Sequence, residues 1–338
     1  MRKQQKGNYQ MTNFTVGILG LGNIGMGLDY YKPDNVFWTH AKSFYHHSNF
    51  TIEYLIDKDD KKLQLAQQKY KTVPFLINDI DEIDHFPDIM VLASSPQVNR
   101  AVFNEIKDKK EIRFFILEKP FWDDCLSFGE YEKYSNKCII NYFRRFTPFY
   151  RNLRRDILNN QYGNTLGVHI YYCKGLRNSA SHFIDLVDFI YSGKYNIGSV
   201  NPYHITADYV KEDSSVGFTI KYINEFDESF PIVFQTGNVK KYFFIELDFI
   251  FERGRLRISN FESISEKFKV IKDLNFDSYK NLTISDTQKI EINNYGYDMC
   301  NYVYSLLTNP SEENVSSLYN EVVNFKLIKR IIENSITI

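Results

Sequence analysis

The sequence has no excess of charge of either sign, and it has few cysteines. Its 338 residues include 41 Lys and Arg against 42 Asp and Glu, so nothing in the composition indicates a surface for nucleic acid. The four cysteines form no C-x-x-C pair and show no regular spacing, which is typical of reduced, buried thiols. We therefore expect a cytoplasmic protein with no nucleic-acid partner.

Long apolar runs and the common hydrolase and metal motifs are also absent. No run approaches the roughly 20 apolar residues of a membrane helix, so we expect no membrane partner. His46 and His47 are adjacent and face different ways on a helix, while the other histidines considered are scattered: His40, His85, His169 and His204. With no H-E-x-x-H, no P-loop and no nucleophile elbow, we expect no metal and no hydrolase of those types.

What the chain does contain is a glycine-rich turn after its first apolar run. Residues 14–25 read F-T-V-G-I-L-G-L-G-N-I-G, which is the G-x-G-x-x-G spacing after a buried strand. Gly20 permits the tight turn, Gly22 lets the backbone approach a pyrophosphate, and Gly25 lets the next segment pack closely. A glycine-rich turn in another α/β protein would look the same. The predicted phosphate contacts are the residues of this turn: Gly20, Gly22, Asn23, Ile24 and Gly25.

Residues 26–38 depart from the standard dinucleotide-binding unit, in which a helix follows the glycines directly. Pro33 breaks helical continuity, and we expect the helix to resume after Thr39, a suitable N-cap. This insertion could form a lid or wall near the cofactor or substrate. It could equally be a surface excursion, and the sequence favours neither reading.

A second predicted strand, residues 51–57, ends in a carboxylate. In a dinucleotide-binding fold, an acid at this position accepts hydrogen bonds from the adenosine ribose and repels a 2′-phosphate. Asp57 therefore predicts NAD(H) in preference to NADP(H). Lys58 is the reason for caution, because an ammonium beside Asp57 could partner a phosphate.

Two further predicted strands, residues 88–93 and 113–117, end in S-S-P and E-K-P. Strands that alternate with helical segments over about 120 residues indicate a doubly wound parallel sheet, which binds ligands beyond the carboxyl ends of its strands. The predicted cofactor contacts at this edge are Ser94, Ser95, Pro96, Glu118 and Lys119.

The order of these motifs resembles the glucose–fructose oxidoreductase/inositol dehydrogenase/MocA family. The segment N-Y-F-R-R-F-T-P at 141–148 and S-H-F-I-D at 181–185 resemble two further motifs of that family. The resemblance covers roughly residues 14–195. It implies a Rossmann domain followed by a C-terminal domain built on an open, mostly antiparallel sheet.

The C-terminal half agrees with that implication, because β-rich runs dominate it, among them residues 242–251. An apolar stripe at 183, 186, 187 and 190 predicts a helix at 181–191, and two helices near 295–308 and 312–333 close the chain. We expect a polar, mobile leader at residues 1–12, a dinucleotide-binding Rossmann α/β domain at 13–145 and an α+β substrate and oligomerisation domain at 146–338. The resemblance also implies self-association through the C-terminal sheet, as a homodimer or homotetramer.

Lys119 and His182 are the predicted catalytic residues. In the resembled family the matching lysine faces the nicotinamide and substrate, and the matching histidine is the acid/base for the substrate hydroxyl. An ammonium beside a reacting hydroxyl favours the charge that develops on oxygen during hydride transfer. Asp185, three residues after His182 on a predicted helix, can orient the imidazole. Each residue could instead be structural: a surface lysine after a strand, or a histidine that caps a helix.

The sequence departs from the family just before His182. The common pattern has Asp four residues and Gly two residues before the histidine, where this chain has Asn178 and Ala180. An amide can hold a substrate hydroxyl but cannot exchange a proton as a carboxylate does. The predicted substrate contacts are Lys119, Arg145, Asn178, His182 and Asp185.

These inferences together predict an NAD(H)-dependent oxidoreductase acting on CH–OH groups. Its substrate would be a secondary alcohol or ketone of a sugar or nucleotide-linked sugar, such as those of surface-polysaccharide biosynthesis. Two alternatives remain open at this point. One is a lyase or glycosidase that retains NAD on the same fold, and the other is a non-catalytic dinucleotide-binding regulator.

Overall fold

The computed structural model describes residues 13–123, 126–208, 210 and 212–335. The predicted leader at 1–12 lies outside them. The described chain forms two compact units that are interleaved in sequence. Unit 1 contains residues 13–121, 134–141 and 296–314, and unit 2 contains most of the remainder, chiefly 142–295 and 315–335. The sequence predicts a single change of domain at residue 145, whereas the segment 296–314 returns to unit 1.

The strands, in chain order, are β1 (Phe14–Leu19), β2 (Phe50–Ile56), β3 (Phe75–Ile77), β4 (Ile89–Leu92), β5 (Phe114–Leu117), β6 (Cys138–Ile140), β7 (Thr165–Tyr172), β8 (Lys194–Thr206), β9 (Ser215–Ile223), β10 (Ser229–Thr236), β11 (Glu246–Phe251), β12 (Gly254–Ser259), β13 (Ile264–Lys272) and β14 (Lys280–Lys289). The α-helices are α1 (His40–His46), α2 (Asp60–Lys69), α3 (Pro96–Ile106), α4 (Phe128–Tyr131), α5 (Pro148–Leu158), α6 (Ser181–Tyr191), α7 (Tyr295–Thr308) and α8 (Leu318–Ser335).

Unit 1 is built on a six-stranded parallel sheet, sheet A, with the order β3-β2-β1-β4-β5-β6. Strands β1 and β4 at its centre are almost wholly buried, as expected for apolar strands covered on both faces. The predicted doubly wound parallel sheet is therefore confirmed. Strand β6 was not predicted, because three apolar residues give too short a run to recognise.

Unit 2 is built on an eight-stranded sheet, sheet B, with the order β14-β13-β12-β11-β7-β10-β9-β8. Only β7 and β10 pair in parallel, so the predicted mostly antiparallel sheet is confirmed. Buried side chains of β7 and β9–β12 form one apolar core with α5, α6 and α8. Helix α6 has the bounds that its apolar stripe at 183, 186, 187 and 190 predicts.

The end of sheet B differs from the prediction. Strands β13 and β14 were not predicted because they lack the apolar alternation of a half-buried strand, and β14 is exposed along nearly its whole length. The predicted strand at 242–251 begins only at Glu246, which leaves residues 237–245 as a loop. The last helix begins at Leu318 rather than at 312.

Two features are absent from the described residues. None of the helices in this part of the chain is both long and apolar enough to cross a bilayer. Within the same residues, no three His, Cys, Asp or Glu side chains are grouped so that they could hold a metal ion.

Candidate functional site

The glycine-rich turn in unit 1 depends on two glycines for packing and leaves the third open. Gly20 has φ of +94°, and a Cβ there would lie 2.6 Å from the backbone nitrogen of Ser94. A Cβ on Gly25 would lie 1.8 Å from the carbonyl oxygen of Gly20. A Cβ on Gly22 would meet no atom within 4 Å. The turn is therefore closed by Gly20 and Gly25 and leaves free space at Gly22, where the sequence predicts a pyrophosphate.

Asp57, at the end of β2, holds this turn in place. Its Oδ2 accepts the backbone N–H of Leu21 at 2.8 Å and the ammonium of Lys62 at 3.0 Å, and its Oδ1 accepts the N–H of Asp59 at 3.0 Å. Burial alone would raise the pKa of the Asp57 carboxyl. The backbone donors and the ammonium outweigh burial and hold the pKa below its ordinary value, so Asp57 is ionised at neutral pH.

The cation beside Asp57 is Lys62 on α2, which sequence reasoning missed. Lys58, the predicted cation, is 85% exposed and lies 3.4 Å from Asp79. Lys62 falls on the first turns of a polar helix, and its charge gave no signal that distinguished it from its lysine neighbours. The structure therefore brings Lys62, and not Lys58, to the carboxylate that the sequence assigns to the ribose.

Ser94, Ser95 and Pro96 form the turn between β4 and α3. Ser95 is the N-cap of α3, and Pro96 occupies its first turn, where a missing N–H costs nothing. The buried side chain of Asn99 accepts the N–H of Ser94 at 2.9 Å and donates to its carbonyl at 3.2 Å. Asn99 therefore fixes the backbone of Ser94, a role that a lone amide in a helix does not reveal in sequence.

Glu118 is held by two side chains just before Lys119. Its Oε1 lies 2.7 Å from Nε2 of His40 on α1 and accepts the amide of Asn141 at 2.6 Å. His40 is 2% exposed, and its Nδ1 is a buried nitrogen with no hydrogen-bond partner among the described residues. The sequence treats His40 as a scattered histidine, whereas the structure places it against the E-K-P turn. Lys119 follows at a half-buried position and joins Pro120 through a cis peptide.

The insertion at 26–38 is anchored at both ends. The fully buried carboxylate of Asp29 accepts the N–H of Trp38 at 2.7 Å and both the N–H and hydroxyl of Thr39, at 2.9 and 2.6 Å. The buried ammonium of Lys42 donates to the carbonyls of Lys32 and Pro33 at 3.2 and 2.6 Å. Thr39 is the N-cap of α1, as predicted. This loop is an anchored, folded part of unit 1. Whether it lies near the cofactor or is a surface excursion stays a prediction.

In unit 2, two carboxylates shape the turn that precedes α6. Gly175 has φ of +92°, and a Cβ there would lie 2.1 Å from Oδ2 of Asp213. Asp213 accepts the N–H groups of Arg177 and Asn178, each at 2.8 Å. The side-chain amide of Asn178, a predicted substrate contact, donates to the carbonyl of Lys174 at 3.1 Å. Asp208 accepts the N–H of Gly175 at 3.3 Å.

His182 is the second residue of α6 and faces aromatic rings. Its imidazole lies 5.2 Å from the ring centroid of Phe143 and 5.9 Å from that of Tyr142, which is perpendicular to it. Phe143 also packs on Tyr295, with centroids 4.3 Å apart. The imidazole is half-buried in a wall of rings, which fixes its plane while part of it stays accessible.

Arg145 and Asp185 form a buried ion pair with each other. Nε and Nη2 of Arg145 each donate to the Asp185 carboxylate at 2.8 Å, and Nη1 donates to the carbonyl of Val315 at 2.5 Å. The two side chains are 4% and 1% exposed. The sequence predicts that both contact substrate, whereas the structure gives them an internal role: they anchor α6 one turn after His182.

Helix α8 supports the same region through polar side chains that sequence reasoning missed. The hydroxyl of Tyr142 donates to Glu321 at 2.5 Å and accepts the amide of Asn324 at 3.0 Å. Asn324 also donates to the carbonyl of Ser181 at 2.7 Å, at the first residue of α6. Burial and the Glu321 carboxylate both raise the pKa of Tyr142, so the hydroxyl stays protonated and acts as a donor.

A second buried ion pair joins Arg144 to Glu262. Nε of Arg144 donates to Glu262 at 2.6 Å in a bidentate contact that the hydroxyl of Tyr150 completes. The guanidinium lies 4.5 Å from the ring centroids of Phe143, which faces His182, and of Phe183. Glu262 lies in a turn whose residues 260–262 all have positive φ, of 51°, 54° and 63°. A non-glycine turn of this kind costs energy, and the buried ion pair holds it.

Comparisons with known proteins support the fold. No protein-family model and no curated protein matches the sequence. Among solved structures, a myo-inositol dehydrogenase from Corynebacterium glutamicum is 14% identical with a TM-score of 0.68, over 96% of this chain and 97% of that one. The WlbA dehydrogenase from Bordetella pertussis, solved with NADH and UDP-GlcNAcA, is 13% identical with a TM-score of 0.64, over 96% of each chain.

A third solved structure is a regulator rather than a dehydrogenase. The transcriptional regulator Gal80p from Kluyveromyces lactis is 13% identical, with a TM-score of 0.70, and the match covers 97% of this chain and 93% of that one. At such low identity the likeness concerns the fold. This chain has the fold of the glucose–fructose oxidoreductase/inositol dehydrogenase/MocA proteins, as its motifs predict.

Proposed function

We propose that the protein is an NAD(H)-dependent oxidoreductase acting on a secondary alcohol or ketone of a sugar or nucleotide-linked sugar. The observation that carries the proposal is the turn at Gly20–Gly25, closed by two glycines and open at the third. The open space at Gly22 suits a pyrophosphate, and the packing of the turn does not itself require glycine at that position. The nicotinamide of the bound cofactor would supply or accept the hydride.

The residues of unit 1 fit the other parts of a dinucleotide. A carboxylate has about four acceptor sites, and three of those on Asp57 are used by Leu21, Lys62 and Asp59. The remaining site, on Oδ1, suits a ribose hydroxyl. The N–H groups of Asn23 and Ile24 suit phosphate oxygens, and Ser94 to Pro96 suit the neighbouring ribose. Lys58 remains a candidate for phosphate contact at the surface.

The proposed chemistry divides between Lys119 and His182. His182 takes the hydroxyl proton during oxidation, or returns it during reduction, at a ring nitrogen. The ammonium of Lys119 stabilises the negative charge that develops on the same oxygen. Asn178 holds a substrate hydroxyl. Arg145 and Asp185 act through His182, since they fix the helix that carries it.

The first test is a screen of sugars and sugar nucleotides, in both directions, for a change in NADH absorbance. We expect at least one substrate with a stoichiometric yield of NADH or NAD. A product formed with no net change in NADH would favour the cofactor-retaining lyase or glycosidase instead.

The second test separates an enzyme from a binder. Lys119→Ala and His182→Ala should each lower turnover by roughly 10²-fold or more, which is the size expected for a charge stabiliser or an acid/base. NADH affinity should stay within a few fold. Because both residues act on one oxygen, the double variant should lose less than the product of the single losses. Wild-type turnover of His182→Ala across the pH range would make the histidine structural.

A non-catalytic dinucleotide-binding regulator is the second candidate. The observation that favours it is the similarity to Gal80p, because a transcriptional regulator shares the fold. Such a protein would bind NADH, show no turnover in the screen and keep its binding properties when Lys119 and His182 are replaced.

A further inference from the structure

Four loops of unit 2 meet at the edge of sheet B where α6 begins. The strand pairings fix this, because Tyr172 is opposite Thr236, Glu246 is opposite Tyr171 and Ser259 is opposite Ile264. Strands β8 and β9 end and begin at the same edge, where the hydroxyls of Thr206 and Thr236 lie 3.1 Å apart. The described residues of the four loops are 173–180, 207–208 with 210 and 212–214, 237–245 and 260–263. The loop at 173–180 leads directly to His182.

Side-chain contacts link three of these loops to one another and to the rings beside His182. The thiol of Cys173 donates to the carbonyl of Phe244 at 3.6 Å, which joins the first loop to the third. Phe243 stacks on Phe261 with centroids 5.5 Å apart, which joins the third loop to the fourth. Glu262 then reaches Arg144, beside the rings that face the imidazole. The loop edge and the candidate catalytic histidine therefore belong to one continuous cluster.

This edge carries lysines that form no ion pair within the described part of the chain. The sequence 237–245 contains Lys240 and Lys241 and no acidic residue. Both lysines are exposed, and no ion pair joins either to an acidic side chain among the described residues. The same holds for Lys174. Three carboxylates at this edge, Asp208, Asp213 and Glu262, already hold backbone N–H groups or Arg144, and a fourth, Glu212, is exposed.

The same edge also exposes aromatic rings. Tyr242 is 69% exposed, Phe261 is 48% exposed and Phe243 is 38% exposed. Tyr242 and Phe243 follow the lysines directly in the chain, and Phe261 packs on Phe243. Exposed rings next to unpaired cations suit a ligand that combines a planar base with phosphates, because bases stack on aromatic rings and phosphates pair with ammonium groups. A neutral free sugar has no phosphate to pair with the lysines and no planar base to stack on the rings.

We propose that this loop edge binds the nucleoside diphosphate portion of a nucleotide-linked substrate. Lys240 and Lys241 pair with the phosphates, and Tyr242 and Phe261 provide faces for the base. The proposal rests on the proposed function for its link to turnover, and it narrows the substrate from sugars in general to nucleotide-linked sugars.

The test is calorimetric titration of UDP, dTDP and GDP into the full-length protein saturated with NADH, which keeps these probes out of the dinucleotide site. We expect at least one to bind. The double variant Lys240→Gln/Lys241→Gln should weaken that binding at least roughly tenfold, since two charge-assisted contacts are lost. Tyr242→Ala should weaken it several-fold. Pyrophosphate should bind more weakly to the lysine double variant than to the wild type. Its affinity for Tyr242→Ala should be unchanged.

Matched controls lie at the opposite edge of sheet B. Lys194→Gln/Lys221→Gln removes the same two charges, and Phe226→Ala removes a ring that is 59% exposed. Both should leave binding of the nucleoside diphosphates unchanged. Equal losses in the controls, no binding of any probe, or pyrophosphate binding as tightly as the nucleoside diphosphates would overturn the proposal. Because the titrations require no turnover, they can succeed while the redox proposal fails. A free sugar that is oxidised by a protein with no affinity for these probes would give the reverse result.

Discussion

The glycine-rich turn of unit 1 and the start of α6 in unit 2 are organised by different physics. The turn is set by the shape of its own backbone, since a Cβ at Gly20 or Gly25 would overlap neighbouring atoms. The start of α6 is set by buried polar pairs between distant residues. Arg144 and Glu262 are 118 positions apart, and Tyr142 and Glu321 are 179 apart. A turn that needs glycine for steric reasons can be recognised from a short sequence motif. A charge pair between residues so far apart in the chain leaves no such motif.

The largest effect that would test this contrast is expected in unit 2. Glu262→Gln leaves the guanidinium of Arg144 buried without its counter-charge. Breaking a buried pair in this way costs about 3–5 kcal/mol, and denaturant unfolding should show a loss of that size.

The matched control for Glu262→Gln is Glu246→Gln on the same sheet. Glu246 and its partner Arg257 are 33% and 40% exposed, so the loss should be at most about 1 kcal/mol. Equal losses for the two substitutions would show that burial of the Arg144 pair has no special weight.

The next effect is expected in unit 1, from a pair of glycine substitutions. Gly25→Ala forces the turn to move, since the new Cβ would start 1.8 Å from the oxygen of Gly20, and overpacking of this kind costs about 1–3 kcal/mol. Gly22→Ala has room and should leave the unfolding midpoint nearly unchanged while it weakens NADH binding. Unfolding curves and NADH titrations of the two variants separate the roles. If Gly22→Ala lowered the free energy of unfolding as much as Gly25→Ala, the proposed difference between the two glycines would be wrong.

A smaller effect concerns cofactor choice. The wild type should bind NADH more tightly than NADPH, because a 2′-phosphate would face the ionised Asp57. Lys62→Ala should widen that preference several-fold, since it removes the cation that partly neutralises Asp57. Lys58→Ala is the comparison variant: the preference should change little while the ammonium pairs with Asp79, and weaker NADPH binding would identify Lys58 as a phosphate contact. Tighter binding of NADPH by the wild type would overturn the assignment of Asp57.

The smallest effect is a pH dependence from His47. Burial lowers the pKa of this imidazole, and its hydrogen bond to Asn301 opposes the shift only in part. The unfolded chain therefore takes up the proton first, near its ordinary pKa of about 6.5. Stability should fall as the pH drops below that value and hold steady above it. His47→Gln should flatten the profile of urea midpoints between about pH 8 and about pH 5. An unchanged slope would assign the loss to other groups.

The sequence predicts most of the fold because its signals are local. Four strands of sheet A (β1, β2, β4 and β5), the N-cap at Thr39 and the bounds of α6 follow from apolar runs, capping chemistry and helical spacing, and the structure confirms them. The sequence does not predict strand β14, because an exposed strand lacks the alternation of apolar and polar residues by which strands are recognised. The sequence does not predict the loop at 237–245, because its aromatic residues resemble the beginning of strand β11.

Around the candidate site, two of the missed residues, His40 and Glu321, are single polar side chains whose partners lie far along the chain. His40 contacts Glu118, and Glu321 contacts Tyr142. Nothing in the spacing of such residues distinguishes them from solvated positions on a helix. The roles of Lys119, Asn178 and His182 in chemistry stay predictions, which the substitutions above address.

The anchored insertion at 26–38 has a consequence for any attempt to shorten the chain. A designer who deleted it to restore the usual glycine-turn-to-helix connection would also delete Asp29. That carboxylate holds the N–H and hydroxyl of Thr39, the residue that caps α1. The trimmed protein would therefore lose the beginning of its first helix, and with it the register that brings His40 to Glu118. Grafting the loop onto a relative would require Asp29, Thr39 and Lys42 to travel together.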